Sequence, residues 1–165
     1  MKSLLAACIL ALAPAAAWAA GPTPLGPNGG QHGAWIAATY GSGDGKVCYA
    51  FTRVQSSKPA IQSRGKVMLT VTERKGSRDE VSIAAGYIYP KDAKVTLTVG
   101  SKSFDFYTDQ DFAFTASGKD AVAAFQAGDG ATVTGPGPRG KITVTDQFSL
   151  AGFSDAYKAI TTACP

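Results

Sequence analysis

The sequence predicts a mainly β domain, an antiparallel β-sandwich or jelly-roll-like fold with one or two short helices, including a carboxy-terminal one. Three observations predict it. Apolar and polar residues alternate with period two over most of the chain after Ala34. Nineteen Gly and nine Pro among 165 residues supply turns at hairpin-like spacing. Only two stretches change to helical spacing. Each strand then has one apolar face, and burying those faces requires a second sheet or barrel closure.

The first strands read as Trp35 to Tyr40 and Val47 to Val54, joined by Gly41-Ser42-Gly43-Asp44-Gly45-Lys46. That glycine loop has Val47 where a phosphate loop needs Ser or Thr, and it opens a strand, so a hairpin turn is the better account. Val67, Leu69 and Val71 form the next apolar face, then Val81, Ile83 and Ala85, with Tyr87 continuing that parity into the core. Val95, Leu97 and Val99 alternate with Thr96 and Thr98. Phe104 and Phe106 follow the Gly100-Ser101 turn, Phe112 and Phe114 follow Thr108-Asp109-Gln110, and Ile142 and Val144 follow Pro136 to Gly140. Lys119 to Ala127 reads as a short helix with Val122 and Phe125 on one face. Ser154 to Ala163 reads as a second, with Ser154 as its cap and Asp155 at the positive end of its dipole. Phe153, Tyr157, Ile160 and Cys164 make one stripe along it and aim Cys164 at the core.

Residues 1–19 read as a signal peptide. Met1-Lys2-Ser3 is the charged start, Leu4 to Ala17 the apolar run, and Ala17-Trp18-Ala19 the small-x-small pattern cleaved before Ala20. Leu5-Ala6-Ala7-Cys8 looks like a lipoprotein box, but too little chain precedes Cys8 for a charged start and an apolar core. No later apolar run reaches the roughly 20 residues a spanning helix needs, so the expectation is a periplasmic or secreted protein that does not span the membrane. Residues 20–33, with eight Gly or Pro among fourteen, read as a flexible leader, and 34–165 as one β-rich domain. Once Cys8 leaves, Cys48 and Cys164 remain in an oxidising compartment and are expected to form one disulfide. The competing reading, a catalytic or metal-binding thiol, lacks a Cys-x-x-Cys spacing and a nearby His.

The single His of the chain, His32, disfavours His-based triads and His-rich metal sites and reads as a solvated loop residue. No cofactor motif is present, and no nucleic-acid-binding motif either. The formal charge of +4 is unevenly spread. Lys46, Arg53, Lys58, Arg64, Lys66, Arg74, Lys75 and Arg78 face only Glu73 in the same segment, a candidate basic face for an anionic envelope or host-surface partner. The bland reading is that these side chains simply solvate strand and turn surfaces. Asp105, Asp109 and Asp111 form the densest carboxylate cluster, and with Tyr89 near a strand end they make a candidate carbohydrate-binding or carbohydrate-active surface. Turn and outward strand aspartates are the bland alternative. No Ser or Thr nucleophile has an obvious base, which leaves a Ser–Lys arrangement open.

Four ordered pieces of the chain carry a family resemblance: Lys46-Val47-Cys48-Tyr49; Ser56-Ser57-Lys58-Pro59; Asp79-Glu80-Val81-Ser82 leading to Gly86-Tyr87; and Thr145-Asp146-Gln147-Phe148-Ser149-Leu150-Ala151-Gly152-Phe153. From Trp35 to Cys164 the chain resembles the invasion-associated locus B family of bacterial secreted and periplasmic proteins. The resemblance implies a mostly β envelope protein, and it carries over no catalytic residues. The chain departs from the family where Arg74-Lys75 stands in place of an Arg-Pro and where a Trp is absent near Phe112 to Phe114. The expectation is a non-catalytic protein that binds a partner or supports envelope and host-cell interaction; the alternative is a carbohydrate-binding or carbohydrate-active β-sandwich.

Overall fold

Strands form where the alternation is cleanest, and the computed structural model, which describes residues 21–165, shows twelve of them in one antiparallel sheet. The expected signal peptide, its cleavage point before Ala20, and Cys8 lie outside the described residues. In chain order the elements are β1 (Thr23–Pro24), α1 (Pro27–Gly30), β2 (Gln31–His32), β3 (Trp35–Tyr40), β4 (Val47–Arg53), β5 (Ser56–Lys58), β6 (Met68–Arg74) and β7 (Ser77–Ala84). Then follow β8 (Val95–Val99), β9 (Lys102–Asp109), β10 (Phe112–Phe114), α2 (Gly118–Ala127), β11 (Gly130–Pro136), β12 (Thr143–Ser149) and α3 (Phe153–Ala163).

The path runs β1-β3-β4-β6-β7-β10-β9-β8-β11-β12-β5, with β2 paired to β3. It folds over on itself. Only Val54 and Gln55 separate β4 from β5 in the chain, yet β5 is the far end of the path, paired with β12. Strand β9 makes the other corner: Lys102 to Phe106 pair with β8, whereas Tyr107 to Asp109 pair with β10. The result is the mainly β, sandwich-like fold expected, with the helices packed on the same interior. Trp35 is fully buried there, its ring 4.8 Å from that of Phe153 and 6.5 Å from that of Phe125, and its indole N–H donates to Ser149 O at 3.1 Å. Each such aromatic contributes about 1.5–3 kcal/mol through burial.

Both helices stand within a residue of their expected bounds, and Phe153, Ile160 and Cys164 are buried along the anticipated stripe. The cap of α3 is not Ser154. Gly152 occupies that position at φ +85°, without a side-chain cap, because a Cβ there would collide with His32 O. Residues 21–33, expected as a flexible leader, pair with β3 through β1 and β2, and Leu25 N donates to Ala37 O at 2.9 Å. His32 is tied in with them, its Nε2 donating to Leu25 O at 2.7 Å. Between them Asn28 and Gly29 take left-handed geometry in the single turn α1.

Three expected core positions turn outward. In β10 the buried residue is Ala113, so Phe112 and Phe114 lie on the solvent face. Ile142 precedes β12 and is exposed, whereas Val144 is buried as expected. Strand β7 ends at Ala84, and Gly86 turns to φ +73° where its backbone meets Gly65 (Gly65 N to Gly86 O 2.9 Å). That turn breaks the parity: Tyr87 is half-buried and Tyr89, expected near an exposed strand end, is buried.

Candidate functional site

The chemistry-bearing residues of the sequence do not converge. Asp105, Tyr107 and Asp109 alternate outward along β9, which puts the two Asp Cα atoms about 13 Å apart at about 3.3 Å per residue. A glycosidase pair needs its carboxyls about 5–9.5 Å apart. Asp111 sits in the next turn, where its carbonyl accepts from Ala85 N at 2.9 Å. No group of three or more His, Cys, Asp or Glu among the described residues is disposed to hold a metal ion. Tyr89 is sealed behind Tyr87, ring centroids 5.4 Å apart, and burial raises the pKa of its phenol.

Most of the basic segment is engaged in bonds to the rest of the chain, although only Arg64 is buried in doing so. Arg64 and Asp146, both buried, form a bidentate pair at 2.7 Å for each bond. Arg64 Nε also donates to Ala85 O at 2.7 Å, Ser57 Oγ donates to Asp146 Oδ1 at 2.7 Å, and the guanidinium lies 5.0 Å over the Tyr87 ring. Arg74 pairs with Glu80, Lys75 with Asp44 at 2.8 Å, and Lys46 donates to Ala163 O at 2.7 Å. Arg53, Lys58 and Lys66 have no ion pair or side-chain hydrogen bond among the described residues, so the unpaired cationic surface is smaller than the sequence count suggests.

Cys48 and Cys164 are joined, tying β4 to the residue after α3 across 116 positions. Beside them is a buried carboxylate. Glu73 continues the inward parity of Leu69 and Val71 along β6, opposite Cys48, and is fully buried; the β6–β7 ladder shifts register beside it, where β7 carries an extra residue and Asp79 takes φ +54°. Asp79 N donates to Glu73 Oε1 at 3.1 Å, and Arg78 Nε lies 2.6 Å from Oε2 as an ion pair without hydrogen-bond alignment. Tyr157 OH donates to Asp79 Oδ1 at 2.5 Å, and Arg78 Nη1 donates to Cys164 O. Burial raises the pKa of Glu73 against the opposing pull of Asp79 N–H and Arg78. Burial and the bond to Asp79 likewise raise that of Tyr157. Closed to solvent at Glu73, this network anchors the carboxy-terminal helix and offers no room for a substrate.

What remains open is the outer face of the first layer. Cross-strand register aligns Phe51, Thr70, Ser82, Phe114 and Tyr107 in one row over β4-β6-β7-β10-β9. The next row over the same strands is Arg53, Met68, Ala84, Phe112 and Asp109. Tyr107 is 63% exposed and Phe112 39%, with ring centroids 5.9 Å apart for Tyr107–Phe114 and 6.1 Å for Phe112–Phe114. A groove of about 560 Å³ continues this face past Met68, Ala84 and Phe112, with Lys66 on one side and Asp111 on the other. Sequence reasoning missed this surface because Phe-Ala-Phe reads as a strand with its large side chains inward. The only signal against it was that Tyr107 shares its parity with Asp105 and Asp109.

The model of the invasion associated locus B (IalB) protein family matches residues 35–161 of the chain. No curated protein matches it. Among solved structures, the crystal structure of invasion associated protein B from Bartonella henselae is similar in fold. It is 16% identical, with a TM-score of 0.58, and the match covers 81% of this chain and 95% of that one.

Proposed function

The chain belongs to the invasion associated locus B family, and from that premise we propose that it is a non-catalytic envelope protein, periplasmic or secreted, that acts by binding a partner. The buried disulfide and the family support an extracytoplasmic location. One observation carries the binding reading: Tyr107, Phe112 and Phe114 form a contiguous aromatic cluster on the solvent side of a sheet whose other side already holds the core. Large exposed aromatics cost solubility and are characteristic of interaction surfaces. The scattered carboxylates, the sealed Glu73 and the internally bonded His32 support the absence of a catalytic role.

A photo-crosslinking residue at Tyr107 or Phe112, introduced into the protein in its native envelope, tests the reading. It should yield a discrete adduct that the same residue at Ser103, exposed on the other layer, does not. No adduct at either position, or substrate turnover by the purified protein that a folded point variant abolishes, sinks it.

A second reading, a carbohydrate-binding domain, has one arrangement in its favour. The exposed Tyr107 ring stands between the outward carboxylates of Asp105 and Asp109 on β9, an apolar platform flanked by hydrogen-bond acceptors. A glycan array that stays blank for the protein and for Tyr107→Ala alike removes it.

A further inference from the structure

Resting on the reading that the aromatic face is a binding surface, we infer that its partner is a second copy of this chain, docked face to face about a two-fold axis running along β7. The argument is the order of residues across the sheet. In the row Arg53, Met68, Ala84, Phe112 and Asp109, a cation stands at one end, a carboxylate at the other, and apolar groups between. Strand β7 is the middle of the five strands, and the two charged ends are about 19 Å apart at about 4.8 Å per strand. That is too far for Arg53 and Asp109 to meet within one molecule, and neither has an ion pair among the described residues.

A rotation about an axis along β7 exchanges the two ends. Arg53 then faces the partner's Asp109, and the reverse contact forms at the other edge, as an isologous interface requires. The same operation sets Met68 against the partner's Phe112 and Phe51 against the partner's Tyr107. Thr70 meets the partner's Phe114. Within these two rows each copy presents on the axis Ser82 and Ala84, the small side chains that let two sheets approach, and Glu80, the next outward residue of β7, is already paired with Arg74 of its own chain. Lys66 and Asp111 repeat the charge asymmetry beside the groove, one on the Arg53 side and one on the Asp109 side. The face is therefore complementary to itself in charge and in size. An anionic surface would meet Asp109 and Asp111, and a neutral glycan would leave both charged ends unmatched.

Sedimentation of the purified, disulfide-bonded protein tests this. The weight-average mass should rise with concentration toward twice that of the monomer. Arg53→Asp alone and Asp109→Arg alone each set like charges together at both edges, and each should weaken association at least tenfold. The double variant Arg53→Asp/Asp109→Arg should restore it, since the exchanged charges again face each other. Ser82→Cys should be joined into a covalent dimer by a short bismaleimide, and Ser103→Cys should not. A monomer at every concentration overturns the inference, as does association that ignores the single reversals or is not rescued by the double one. Adducts from Tyr107 and Phe112 that contain a different protein or a glycan and never this chain also overturn it, while leaving the aromatic face a binding surface. Absence of adducts of any kind would remove that broader reading as well.

Discussion

Cys48 lies directly across the β4–β6 ladder from Glu73, so the disulfide and the most deeply buried carboxyl of the described residues occupy neighbouring positions on one inner face. Covalent and polar anchors of the carboxy-terminal helix thus converge on one spot. Arg78 completes it by facing the Glu73 carboxylate while donating to Cys164 O.

Reducing the disulfide, or replacing Cys48→Ser, should lower stability by up to about 5 kcal/mol, because the bridge closes a loop of more than a hundred residues in the unfolded chain. The thermal midpoint should fall, and amides of Phe153–Ala163 should exchange faster. An unchanged midpoint with two titratable thiols would falsify the account.

Glu73→Gln should change the pH dependence of stability in a defined direction. Burial raises the folded pKa of Glu73 above its ordinary value, so the folded state holds this proton more tightly than the unfolded chain. Its contribution is full below about pH 4.3 and is lost as pH rises through the raised value. The Gln variant lacks that loss. Melting curves of the two proteins should therefore shift in the variant's favour between about pH 4.3 and neutrality. A parallel pair of curves over that range would show that Glu73 is not protonated more readily when folded.

Arg64→Ala should cost about 3–5 kcal/mol, because it leaves the Asp146 carboxylate buried with Ser57 as its remaining side-chain donor. A substitution that removes both charges, Arg64→Met with Asp146→Leu, should be markedly less harmful than the sum of the two single changes. Additive losses in denaturant unfolding would argue against coupling.

Gly118→Ala should destabilise by about 1–3 kcal/mol, since the new methyl group overlaps the Asp79 carbonyl where the amino end of α2 crosses β7. The neighbouring Lys119→Ala, on an exposed position, is the control and should move the midpoint little.

Tyr107→Ala should leave stability within about 0.5 kcal/mol while abolishing whatever the outer face binds. A large drop in unfolding free energy would instead make the ring part of the structural framework.

The existence and inward face of the core strands were legible in the chain because strands such as Val95–Val99 bury one face and leave threonines on the other. The stripe Phe153, Ile160, Cys164 was legible for the same reason in helical period, and with it the disulfide. Outward Phe112 and Phe114 were not, because parity states only that alternate residues share a face, and Ala113 fits the interior beneath them. Glu73 shares the inward parity of Leu69 and Val71; what the chain did not show is how its carboxylate is satisfied, since Asp79 N and Arg78 reach it only through the irregular register of β7. Arg64 and Asp146 are 82 residues apart, so their pairing appears only once β12 lies beside β5. Strand β11 was overlooked because Gly130, Gly135 and Pro136 bracket just two buried apolar residues, Ala131 and Val133.

Lys46 and Arg78 grip the carbonyls of Ala163 and Cys164, and the disulfide holds the same residue from its side chain. Resistance of this last helix to proteolysis therefore becomes a property of thiol chemistry: while the bridge stays oxidised the helix is withheld from local opening, and reduction offers it as a starting point.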